Sequence, residues 1–215
     1  MYLSCPSCNA PADNVCRFSA MAICPYCNMA YKIDGNSTVT IGYMAIDEKK
    51  SEKIHSTLIT GNTGLLEDRK FLIAGRIRFS GADGFMDQWC LVYEDSNEIV
   101  WLSEADGELS LKEETVQQNL VPHYDQLHCG DQLEVAGKIV AVSQKTSKIF
   151  YGAEGEIPFV IEKDTKIDFI HATFGDKEIV IEYSDNDSND VKVYELRFID
   201  SLEINFDQLL PFDDL

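Results

Sequence analysis

Basic side chains are scarce in this chain. Its 215 residues hold 18 Lys and Arg against 37 Asp and Glu, a formal net charge of −19. A surface of that sign repels nucleic-acid phosphate and anionic lipid, which argues against nucleic acid as a partner. Long apolar runs are missing as well. No stretch approaches the roughly 18 consecutive apolar residues that a membrane helix needs, so no membrane span is expected. No charged leader followed by an apolar run opens the chain, which predicts no secretory signal and a cytoplasmic location. Familiar catalytic motifs are absent too: there is no G-x-S-x-G, no P-loop and no G-x-G-x-x-G. The four histidines, His55, His123, His128 and His171, are too dispersed to name a base and nucleophile pair. His123, Tyr124, His128 and Cys129 form a histidine–cysteine neighbourhood, but its spacing suits neither helical i, i+4 nor strand i, i+2 chelation. An enzyme is not expected.

What the chain does have is cysteine, concentrated at its front. Five of the seven cysteines fall within the first 27 residues. Four of them form Cys5-Pro6-Ser7-Cys8 and Cys24-Pro25-Tyr26-Cys27, two C-x-x-C pairs with fifteen residues between them. Each pair aims two sulfurs at one point, and two such turns on facing hairpins close a four-sulfur shell suited to Zn(II). Proline presets each turn, while Asn9 and Asn28, each following a second cysteine, tolerate the left-handed conformation such turns need. A redox C-x-x-C would require one motif on a βα unit, which tandem motifs do not match. The metal ligands are therefore expected to be Cys5, Cys8, Cys24 and Cys27, with zinc in a structural role, since four thiolates leave no open position for water or substrate. Cys16 is a spare thiol in the intervening loop. Cys90 and Cys129, in apolar surroundings, are expected to be buried and inert. Residues 1–34 form the expected zinc ribbon, with only Asp13, Arg17, Lys32 and Asp34 charged.

The remainder reads as β structure. A hydrophobic content of 45% fits a folded chain, and a chain of this length can bury roughly 70% of its unfolded surface. Thr38–Ile46 alternates as a strand, and Asp47–Lys53 is a charged connector. Strands are expected at Lys70–Phe79, Met86–Tyr93 and Ile99–Leu102, with Gly75 marking a bulge or a close backbone approach. A short helical piece is expected over Ser110–Leu120. Further strands are expected at Leu133–Val142, Ile149–Gly152, Ile157–Ile161, Lys166–Thr173, Glu178–Tyr183 and Val191–Ile199. The turns between them include Gly152–Glu156. Short strands at roughly 8–12-residue spacing predict a mainly β body, an antiparallel sandwich or barrel over 57–205. It divides into two candidate units, 57–120 and 127–205. Trp89 and Trp101 are expected in the core. Residues 206–215 form an acidic and apolar tail, read either as a docking motif or as a segment packing Phe206 and Leu209 onto the sheet.

Several of these features together resemble a bacterial family of uncharacterised proteins, the DUF4178 domain. They are the two Cys-Pro-x-Cys pairs, Gly75-Arg76-Ile77 ahead of Trp89, Leu91 and Tyr93, then Trp101-Leu102, Gly155-Glu156-Ile157-Pro158-Phe159 and an aromatic and acidic ending around Glu195. Where such relatives carry Cys-Gly after the second thiol, this chain has Asn9 and Asn28, which preserve the turn. The resemblance implies a cytoplasmic β protein with an accessory role near polyamine-synthesis or envelope-stress systems, and it supplies no catalytic residues. The expected function is thus a non-enzymatic protein-interaction module with an unidentified protein partner. The alternative is an acidic domain that binds or senses a polyamine.

Overall fold

The first strands are short because each is interrupted by a cysteine turn. In the computed structural model, which describes residues 3–12, 17–47, 56–115, 121–184, 191–200 and 203–206, β1 (Leu3–Ser4) and β2 (Pro11–Ala12) flank the first C-x-x-C. β3 (Met21–Ile23) and β4 (Met29–Asp34) flank the second, and β5 (Ser37–Tyr43) returns along β4 through Gly35 at φ 57°. The body follows as β6 (Thr63–Leu66), β7 (Arg69–Gly81), β8 (Gly84–Tyr93), β9 (Ile99–Ala105) and β10 (Glu108–Glu114). After a 3-10 turn at Tyr124–Gln126 come β11 (Gln132–Val135), β12 (Lys138–Ile157), β13 (Lys166–Phe174), β14 (Lys177–Ser184), β15 (Val191–Ile199) and β16 (Asn205–Phe206).

The body is a barrel. Strands pair antiparallel in the order β7-β8-β9-β10-β15-β14-β13-β12, and β12 pairs back onto β7, so eight strands close on themselves. Closure removes the exposed edges that an open sheet would present. The two meanders β7–β10 and β12–β15 are joined through β10–β15 and β12–β7 around one interior. That interior is built from Ile77, Phe79, Met86, Phe150, Phe169 and Val180, contributed by both meanders. Two further clusters cover the outside. One lies under β6 and β16 and includes Phe71, Trp89, Leu91 and Leu102. The other lies under β11 and the 3-10 turn and includes Val142, Ile170 and Ile181.

Glycine settles one crossing. At Gly75 the β7–β8 register shifts, as its bulge reading anticipated, and β7 passes so close to β12 that a Cβ there would sit 2.3 Å from the Glu156 carbonyl oxygen. Its cross-strand partner Gly155, at φ 65°, would place a Cβ 2.3 Å from the Ala74 carbonyl oxygen. The expected turn at Gly152–Glu156 is therefore part of one 20-residue strand. The expected strands Ile149–Gly152 and Ile157–Ile161 merge into it or end at Ile157. Glycine here serves a close approach of two backbones, not a reversal.

Other differences have equally local causes. Leu133–Val142 is a hairpin, because Ala136 and Gly137 adopt φ 48° and 74° and form a two-residue turn with both positions left-handed. Ser110–Glu114 is strand, correcting the helical expectation: Leu109 and Leu111 face the outer cluster while the segment pairs with both β9 and β15. The remainder of that expected helix, 116–120, lies outside the described residues, as do 48–53 of the connector and 207–215 of the tail. Phe206 does pack on the sheet, with its ring 6.2 Å from that of Phe71.

Two substitutions should move stability in opposite directions. Gly75→Ala forces a Cβ into backbone and should cost about 2 kcal/mol or more. Ala136→Gly relieves a left-handed alanine and should gain about 0.5 kcal/mol. Urea unfolding of both variants followed by circular dichroism checks the two signs.

Candidate metal centre

Two nearly identical turns build the site. In the first, Asn9 N–H donates to Cys5 C=O at 2.9 Å and Cys5 N–H donates to Ala10 C=O at 2.8 Å. In the second, Asn28 N–H donates to Cys24 C=O at 2.9 Å and Cys24 N–H donates to Met29 C=O at 3.0 Å. Asn9 and Asn28 adopt φ 58° and 61°, the left-handed region that the asparagines were expected to supply. Each loop thus reverses the chain while keeping both of its sulfurs on the inner side.

The four sulfurs of Cys5, Cys8, Cys24 and Cys27 lie within 4.8 Å of one another, as their spacing predicts. Cys5 Sγ is 3.7 Å from Cys27 Sγ, and Cys8 Sγ is 3.7 Å from Cys24 Sγ. A tetrahedral ion with metal–sulfur bonds of about 2.3 Å has sulfur–sulfur edges of about 3.8 Å, so the cluster already has the size of such a shell. A disulfide would need about 2.05 Å, and all four cysteines are free thiols.

Electrostatics points to a cation as well. For Cys5 burial opposes ionisation, but hydrogen bonds from the backbone N–H of Cys8 and Ser7 and from neighbouring thiols outweigh it and bring the pKa down to about 7. For Cys8 the Ala10 N–H favours the thiolate, yet burial and the other three sulfurs push it up to about 12. One negative charge is welcome in this cluster and a second is resisted, so four thiolates together require a positive ion between them. Beneath them, burial and the nearby thiolates raise the Tyr31 pKa to about 12.

The ribbon's own core is slight. Its buried residues are Cys5, Ala22, Cys24 and Tyr31, two of them ligands. Such a cluster cannot offset the conformational entropy of about 30 residues, and metal binding, at about 10–16 kcal/mol, can. The second support is the barrel. Ala22 and Met21 on β3 pair with Glu156 and Ile157 on β12, Ser19 Oγ donates to the Glu156 carboxylate, and Ala45 bridges Ala153. Met21, Ile23, Ala30 and Met44 join Ile157 and Ala153 in the barrel's own cluster.

The other singled-out residues do not form a second site. Among the described residues the four-cysteine group is the one cluster able to hold a metal. His128 is 77% exposed and lies 3.5 Å from Asp131. His171 Nδ1 is 2.7 Å from a Glu178 oxygen. Cys90 is buried as expected, but Cys129 is exposed, because it stands in a turn closed by Gly130 at φ 95°. Trp89 is fully buried, whereas Trp101 is only half-buried. Cys16 and His55 lie outside the described residues. No protein-family model, curated protein or solved structure matches the chain.

Cobalt(II) substitution reads the ligand set. One equivalent should give intense thiolate charge-transfer bands and tetrahedral d–d bands, and Cys24→Ser should abolish both. Hydrogen exchange after chelation should show lost protection in 3–12 and 24–28, with β7–β10 unchanged.

Proposed function

We propose that the four sulfurs hold Zn(II) as a structural ion and that the protein is a non-enzymatic, cytoplasmic interaction module whose ribbon docks a partner protein. The observation that carries this reading is the all-sulfur shell. Its four positions are taken by protein, so the ion has no site at which to activate water or polarise a substrate. What remains for it is to fix the shape of a surface.

That surface is apolar and uncharged at several points. Tyr26, between the second pair of cysteines, is 71% exposed, and on β5 Val39 and Tyr43 are 59% and 58% exposed. Exposed tyrosines suit an interface core, because their rings bury much area at little entropic cost. The opposite side of the ribbon is hydrogen-bonded to β12, so a docked partner would be held rigidly against the barrel. The sequence resemblance to the DUF4178 domain is the support for seeking such a partner in a polyamine-linked or envelope-stress system. The polyamine alternative draws support from the net charge of −19.

The test is capture from cytoplasmic extract by the immobilised zinc-loaded chain, compared with the Tyr26→Ser/Val39→Ser variant. Partners retained by the wild type should be lost from the variant, while cobalt spectra show its metal site intact. Identical capture by both would contradict ribbon docking.

A further inference from the structure

The barrel interior is not apolar throughout. Cross-strand registers put Gln88 opposite Ser103, Lys112 opposite Trp101 and Leu196, and Glu182 opposite Phe169 and Lys192. These residues share the face that carries Phe79, Phe150, Phe169 and Val180, so their side chains belong to the lumen. The apolar residues fill its middle. Toward one mouth a cavity of about 290 Å³ remains, lined by Phe79, Gln88, Trp101, Lys112, Glu182 and Tyr194.

A charged group at that depth needs a reason. The Lys112 and Glu182 side chains are 4% and 14% exposed. Lys112 Nζ donates to the Glu182 carboxylate and stands 4.2 Å from the Tyr194 ring centroid, and Gln88 Nε2 donates to the same carboxylate at 3.4 Å. Taking both ions out of water costs several kcal/mol, and apolar residues of similar volume usually stabilise a core at least as well. The barrel's middle shows that this fold closes without such a pair. Ser184 and Lys192 line the same cavity, and polar groups converging among aromatic and aliphatic side chains are the ordinary composition of a ligand site.

We propose that this mouth binds a small aromatic carboxylate. Lys112 and Lys192 both line the cavity with Glu182, so two ammonium groups stand with a single carboxylate there, and Gln88 adds amide N–H donors. A ligand carboxylate would accept from Lys112 and Gln88 beside Glu182. Its body would lie against the ring pair at the opening, where Trp101 and Phe159 stand 5.8 Å apart at 40° and Phe159 is 42% exposed. The volume admits a body of roughly 10–15 non-hydrogen atoms. This site is separate from the metal centre and from the ribbon surface.

Titration calorimetry on the full metal-loaded chain tests the assignment, with indole-3-acetate and tryptamine as probes sharing one ring and differing in charge. Saturable one-to-one binding of indole-3-acetate, with tryptamine at least about tenfold weaker, is expected. Lys112→Met should weaken indole-3-acetate at least about tenfold. Because that change leaves Glu182 without its partner, Phe159→Ala on the rim is run beside it and should weaken binding several-fold with an unchanged melting curve. No saturable heat from indole-3-acetate, equal or stronger binding of tryptamine, or full affinity in both variants would overturn the proposal.

Discussion

One strand ties the molecule together. β12 runs for 20 residues and hydrogen-bonds in succession to β11 and β13, to β7 and to β3. Its pairing with β7 closes the barrel, and its last residues carry the ribbon. Such a strand must change partners along its length, and it does so through register shifts at Val142/Gln144 and Phe150/Gly152 and through the close approach of Gly155 to Gly75. Bulges bend and twist a strand locally, which lets one segment serve two curved surfaces. The position of the metal centre relative to the barrel is therefore inherited from β12.

The metal centre answers a different constraint. A ribbon with so small a core cannot be stable on burial alone. At one end its four cysteines are grouped so that they could hold a metal ion, and at the other β3 pairs with β12. Met21 and Ile157 are both fully buried at that junction, and each contributes about 1.5–3 kcal/mol by leaving water. That is well below what a bound ion would supply, so the cysteine turns would gain most from a metal, while β3 is anchored by the barrel in any case.

Much of this was legible in the sequence where the governing interaction is local. Cysteine spacing, proline within each turn and asparagine after it determine the knuckles within a few residues, and they stand as read. Strands rich in β-branched residues, such as β14 with Ile179, Val180 and Ile181 and β15 with Val191 and Val193, declare themselves by composition. The barrel closure does not, because the β7–β12 register joins residues some 80 positions apart. Nor does the lumen: β8 is buried on both faces from Met86 to Tyr93, so alternation there cannot separate inside from outside. The burial of Lys112 is hidden for the same reason. Its flanking Leu109 and Leu111 mark one face of β10, and nothing in composition says that the other face is enclosed too. Ala136 shows the limit for turns, since alanine gives no warning of a left-handed conformation.

Sulfur coordination of a zinc ion is the proposal on which the ribbon's role as a rigid surface depends. X-ray absorption at the zinc edge of the intact, metal-loaded chain reads that coordination. Four sulfur scatterers at about 2.3 Å and no nitrogen or oxygen neighbour are expected. A mixed shell containing water, imidazole or carboxylate, or a chain that retains no stoichiometric metal, would contradict it.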